Sequence, residues 1–235
     1  MFKKIIALVL TLVLAAACLT ACGGANGATL KDVQKAGKLT VAISPDFAPM
    51  EFVDPSKEGQ EMFVGFDVTL SQYIADSMGL ELVIMPMSFD ACQTAVYTGT
   101  VDMSISGFSW SEQREQDFNL SNRYHAGNNE DAQVIITLAA YAEKYATPEG
   151  LADAKIGVQR ASLQHDLTLS QLPESQLVVF THLDDAVAQL IDGHIDCITV
   201  ANGNADAIIA AHPQVAKSGF QFAVTEKQTG NLILL

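Results

Sequence analysis

The chain is short of positive charge. Thirteen lysines and arginines stand against 27 aspartates and glutamates, a formal net charge of −14 over 235 residues. A surface of that sign repels polyanions, which argues against a nucleic-acid partner. Cysteine is scarce too: Cys18 and Cys22 fall in an N-terminal export segment, leaving Cys92 and Cys197 for the folded body. These two stand far apart, in segments assigned below to different lobes, and are expected to be buried free thiols, not a disulfide. The five histidines (His125, His165, His182, His194 and His212) have no short metal-ligand spacing, and there is no H-E-x-x-H helix or G-x-S-x-G elbow. No Gly-rich nucleotide loop follows any strand-like run. Neither a metal nor a cofactor is expected.

The N-terminus supplies the one long apolar run. MFKKIIALVLTLVLAAACLTAC places two lysines before an apolar stretch and small residues before a cysteine, the pattern of a secretory signal and not of a membrane span. Leu19-Thr-Ala-Cys22 resembles the bacterial lipobox, with Ala15-Ala-Ala-Cys18 a weaker alternative. Residues 1–21 are thus expected to be removed, and Cys22 to carry the lipid. Residues 22–37, which include Gly23-Gly-Ala-Asn-Gly-Ala28, read as a flexible tether. Loss of Lys3 and Lys4 leaves 11 bases against 27 acids, or −16.

Beyond the tether, strand-like and helix-like patterns alternate, which argues an α/β layer fold. Lys38–Ile43 reads as a strand ending at Ser44-Pro45. Phe66, Leu70, Tyr73, Ile74 and Met78 recur at helical spacing before Gly79, and the continuous apolar run Leu80–Met85 predicts a strand covered on both faces. A helix opening at Ser88 and a strand over Val101–Ile105 complete one unit. The pattern restarts after Ala132, with strands near 155–158, 177–180 and 195–200. In open α/β sheets the carboxyl ends of strands build binding sites. Ser44, Phe89, Ser106, Ser162 and Ala201 all fall at such exits. Ser106-Gly-Phe-Ser-Trp-Ser-Glu-Gln-Arg114 sets hydroxyls, a bend and one arginine there, a grouping suited to a small carboxylate because guanidinium offers a planar donor fork.

LTVAISPDFAPMEFVD (39–54), VGFDVTLSQYIADSMGLEL (64–82), PMSFDACQTAVYTGTVDMSISGFSWSEQREQDF (86–118) and KIGVQRASLQ (155–164) carry a family likeness. Across them the chain resembles the bacterial extracellular solute-binding proteins of family 3, the amino-acid-binding subunits of ABC importers. The resemblance implies a two-lobed, type II periplasmic-binding-protein-like fold with a two-strand hinge that closes around one amino acid. It implies lobe one over 38–126, lobe two over 127–218, and a return to lobe one over 219–235. The hinge strands are expected near Arg123–Gly127 and Lys217–Phe222.

By the same resemblance Arg114 clamps the ligand's α-carboxylate, Ser109 assists, and the Gly107 carbonyl accepts from its ammonium. Ser162 and the Leu163 amide, at a helix start, face the carboxylate from lobe two. Phe47 and Phe89 sandwich the ligand side chain, although aromatics beside strands are ordinarily core. Trp110 either walls the pocket or packs beneath it. Partners would be a small-molecule ligand, a permease with its ATPase, and the membrane through the anchor, with the receptor a monomer outside the cytoplasm.

Three positions depart from the family pattern. Ala201 stands where relatives commonly carry an acid for the ammonium, a loss of roughly 1.5–3 kcal/mol unless Asn202 or Asn204 substitutes or the ligand lacks a conventional α-ammonium. Ser44 replaces an aspartate typical of binders of cationic amino acids, which leans away from arginine and lysine. The apolar end Leu232–Leu235 suggests a truncated first lobe, with a helix left unfinished and exposed. Two rival readings remain: a cyclohexadienyl or arogenate dehydratase-like enzyme using Glu51, Asp90 or His125 as acid or base, and a sensor or adhesin lipoprotein.

Overall fold

The computed structural model describes residues 29–125 and 132–235. The export segment, Cys22, most of the tether and Ala126–Gly127 of the expected first hinge lie outside them. The end of the expected tether is not flexible coil: Thr29 caps helix α1 (Leu30–Ala36) through a reciprocal box with Asp32, Gly37 closes it at φ 71°, and Val33 is buried.

Lobe one is built on a four-stranded sheet, order β12-β6-β1-β5, from β1 (Lys38–Ile43), β5 (Glu81–Pro86), β6 (Met103–Phe108) and β12 (Leu232–Leu234). β1 runs parallel to β5 and β6, while β12 is antiparallel to β6. Alternation along β1 sends Leu39, Val41 and Ile43 into one core and Ala42 into the other. The helices α2 (Phe66–Met78) and α3 (Phe89–Tyr97) pack on this sheet. A small antiparallel sheet of β2 (Asp46–Phe47), β3 (Glu51–Val53) and β4 (Phe63–Val64) borders it. The short helix α4 (Glu112–Asp117) follows β6.

Lobe two is a five-stranded sheet, order β11-β7-β10-β8-β9, formed by β7 (Gln133–Leu138), β8 (Lys155–Gln159), β9 (Gln176–Phe180), β10 (Cys197–Ala201) and β11 (Val215–Gln221). Its helices are α5 (Pro148–Leu151), α6 (Leu163–Gln171), α7 (Leu183–Ile191) and α8 (Asn202–Ala211). Ile136, Ile198 and Val200 face one core, whereas Ile135, Ile156, Val158 and Cys197 face the other. Cys92 and Cys197 are both buried free thiols, and burial pushes each up to about 12.

Several expectations are corrected. β5 is an edge strand with only Ile84 fully buried, because β1 is its sole neighbour. In α2, Leu70, Ile74 and Met78 pack against the core as their spacing implies, but Phe66 and Tyr73 are exposed and the most buried positions are Asp67, Ser71 and Ala75. The apolar end is no helix: Leu232–Leu234 is a strand with Leu232 and Leu234 buried, since β6 leaves an edge to fill and two apolar side chains fit beneath it. Lys217–Gln221, expected at the second hinge, sits within β11. The chain returns to lobe one just beyond: the Gln171 side chain brackets Ala223 from lobe two, and Arg123 donates to the Glu226 carbonyl.

Candidate functional site

A small cleft of about 60 Å³ lies between the lobes. Lobe one contributes Phe47, Met50, Gly107, Ser109 and His125. Lobe two contributes Gln133, Gln164, Ala201 and Asn204, and the returning segment adds Gln228 and Asn231. Among the described residues the lining thus carries five side-chain amides and no Asp, Glu, Lys or Arg.

Local sequence accounts for the wall from lobe one. Gly107, at φ 58°, turns the end of β6, and an added Cβ would lie 2.6 Å from Phe47 Cε1, so the Phe47 ring rests on bare backbone. The same ring packs against the core of lobe two. Ser111 caps α4 by accepting from the Arg114 amide, which fixes Arg114 in the first turn.

Arg114 is 4% exposed and lies between the rings of Phe89 and Phe108, its Cζ 5.6 and 5.4 Å from their centroids. Nε donates to Gln93 Oε1 (3.1 Å), Nη1 to the Ser109 carbonyl (2.7 Å), and Nη2 crosses to lobe two to reach the Ala161 carbonyl (2.6 Å). No carboxylate among the described residues pairs with it. Burial lowers it to about 10, so it stays a cation at neutral pH. The acceptor is unusual in its own right: Ala161 has φ 58°, the one left-handed non-glycine among the described residues, a conformation costing about 1–3 kcal/mol. Gln93 donates to the same carbonyl.

Of the sequence-predicted residues, the structure brings Phe47, Gly107 and Ser109 to the lining, with Arg114 bonded to Ser109 from beneath. The others lie elsewhere. Phe89 is core, its ring 4.6 Å from that of Phe108. Ser44 is buried, its hydroxyl donating to Asp46 and its amide to the Ser106 oxygen. Ser162 caps α6 by accepting from the His165 amide while donating to the Gln159 carbonyl, and Leu163 joins the core of lobe two; Gln164, one residue on, reaches the cleft. Of the two amides considered near Ala201, Asn202 accepts from Lys217, whereas Asn204 lines the cleft and donates to the Ala48 carbonyl of lobe one. Trp110 lies outside the lining, with Lys227 Nζ 4.5 Å above its ring.

Sequence reading missed Asp46. From lobe one its Oδ2 accepts the Leu183 amide at the start of α7 (2.7 Å) and Gln159 Nε2 (3.3 Å), with His182 Nδ1 3.7 Å away. The α7 terminus, with its unsatisfied N–H groups and positive dipole end, suits a carboxylate from across the cleft. Asp46, Arg114 and Asn204 therefore join the two lobes directly.

Comparison with known proteins agrees with this architecture. Residues 39–137 match the model of the bacterial extracellular solute-binding proteins, family 3. An amino acid ABC transporter substrate-binding protein from Streptococcus pneumoniae, solved bound to L-arginine, superposes with a TM-score of 0.80 at 30% identity over 87% of this chain and 83% of that one. A probable histidine-binding protein of Campylobacter jejuni is 27% identical over 83% of this chain and 75% of its own length. A cyclohexadienyl dehydratase of Pseudomonas aeruginosa is 24% identical over 87% of this chain and 75% of its own length.

Proposed function

The chain belongs to the bacterial extracellular solute-binding proteins, family 3, and from that premise we propose that it is the extracytoplasmic receptor of an ABC importer, holding one free amino acid by closure of its two lobes. A single observation carries the reading: a buried guanidinium with no carboxylate partner among the described residues joins both lobes beside the cleft between them. A buried cation calls for an anion, and the neutral Ala161 carbonyl stands in for a ligand's carboxylate oxygen. Opening the lobes would free Nη2, and the incoming α-carboxylate would take it with help from Ser109. The Gly107 carbonyl and Asn204 Oδ1 would receive the ammonium, replacing the acid absent at Ala201, with Phe47 and Met50 against the side chain.

The five amides of the lining favour a neutral polar side chain. A cationic one would shed its hydration without meeting a carboxylate among the described residues, which is costly. A thermal-shift screen of the mature protein against the twenty amino acids should therefore show L-glutamine, L-asparagine or a similar neutral residue raising the melting temperature more than L-arginine or L-lysine. A larger shift with L-arginine would overturn the ligand class, and no shift with any amino acid would overturn the receptor reading.

Binding without turnover fits the placement of the acid/base candidates. A proton-transfer group must reach the substrate, yet Glu51 is fully buried and Asp90 lies outside the lining, leaving only His125 on the cleft. The rest of the proposal is a monomer anchored through lipid on Cys22, working with a permease and ATPase. Asp46→Ala should weaken amino-acid binding about tenfold by removing a charged bridge between the lobes, as calorimetry would show. Unchanged affinity would mean that Asp46 does not help hold the closed state.

A further inference from the structure

Behind the cleft wall, two carboxyl groups are fully buried side by side. Glu51 on β3 and Asp67 at the start of α2 are both 0% exposed. Glu51 Oε1 accepts the Ser106 hydroxyl at 2.5 Å, and the Ser106 oxygen in turn accepts the Ser44 amide at 2.9 Å. Asp67 Oδ2 accepts the Gly107 amide at 2.8 Å, and both its oxygens lie 3.0 Å from the Tyr124 hydroxyl. Among the described residues, Glu51 Oε2 meets no N–H or O–H donor. The Asp67 carboxyl is its neighbour, close enough for the two groups to interact directly. Two buried anions side by side are untenable, and a single proton between them satisfies the orphaned oxygen and the charge together.

The pair holds consecutive residues at the end of β6: Glu51 takes the side chain of Ser106, and Asp67 takes the backbone of Gly107, which lines the cleft at φ 58°. We propose that Glu51 and Asp67 share one proton at neutral pH, and that this acid pair is the positioning element that holds Gly107 in its cleft-facing conformation. The Ser106 hydroxyl, the Gly107 amide and the Tyr124 hydroxyl all donate to it, so the proton is what completes the set.

The surroundings agree. Desolvation, then the charge of Asp67, pushes Glu51 well above the ordinary carboxyl range, and desolvation raises Asp67 as well. The other titratable groups that face the pair are Asp46 on β2, Tyr124 and His125 on the segment after α4, and Cys92 on α3. Of these only His125 can add positive charge. Because the folded state binds a proton that the unfolded chain releases above about pH 4.5, the pair's contribution to stability is full below that pH. It declines as pH rises toward the raised folded value.

Glu51→Gln, which puts an amide N–H in the place of the shared proton, is the discriminating variant. The melting temperature of E51Q should pull ahead of the parent as pH rises from 5 to 9, the gap widening by about 3 °C or more. Infrared difference spectra at pH 7 should show a protonated-carboxyl C=O band in the parent that is lost in E51Q. Hydrogen exchange at the Gly107 amide should match the parent in E51Q and run at least about tenfold faster in E51A. A parent without the protonated band, a constant melting gap, or equal Gly107 exchange in E51A and E51Q would each overturn the proposal. These readouts need no ligand, so they stand apart from the receptor reading, whose failure would leave the pair in place.

Discussion

Arg114→Ala should lower amino-acid affinity at least about thirtyfold while the unliganded protein keeps its fold. Truncating one side of a buried, hydrogen-bonded charge pair costs about 2–5 kcal/mol, and each 1.4 kcal/mol is tenfold. The free protein is less affected because Arg114 has no carboxylate partner among the described residues to orphan: its losses are the bonds to Gln93, Ser109 and Ala161 and its stack between Phe89 and Phe108. Arg114→Lys keeps the charge but lacks the fork, so it should recover only part of the affinity. Sign and pH follow from the same site. With the guanidinium lowered to about 10, binding should be level across neutral pH and weaken as pH approaches that value. Calorimetry would check each point, and R114A affinity within threefold of the parent would remove Arg114 from the site.

Gly107→Ala should damage both stability and binding. Its φ of 58° is strained for any side chain, by about 1–2 kcal/mol, and the new Cβ would sit 2.6 Å from the Phe47 ring. Either the ring leaves its seat against lobe two or the backbone shifts and stretches the bond to Asp67. A total near 2–3 kcal/mol corresponds to a melting temperature lower by roughly 5–10 °C, with binding at least tenfold weaker. A variant that melts and binds like the parent would show that neither Phe47 nor the turn at Gly107 shapes the cleft.

How far the sequence could be read depended on the range of the interaction. The alternation of Leu39, Val41 and Ile43 with Ala42, the stop at Gly79, the caps at Thr147 and Ser162, and the hydroxyl-rich turn leading to Arg114 all act within a few residues, and the α/β architecture follows from them. Phe47 and the roles of Gly107 and Ser109 come from the family resemblance, while local pattern gives only the bend and hydroxyls at the end of β6. The most buried positions of α2 were not legible: Asp67 and Ser71 have no apolar signature, and Asp67 is buried only because Glu51, Gly107 and Tyr124 arrive from elsewhere in the chain.

The sequence by itself determined most of the strands and helices and the turn that carries Arg114, because spacing and capping are local. Tertiary structure alone decided that Phe89 is core, that Leu232–Leu234 is a strand, that Asp46 caps α7 across the cleft, and that Arg114 grips Ala161. Each of these is a contact between residues far apart in the chain, and its partner is set by where two lobes meet or two strands pair, which no pattern along one segment encodes.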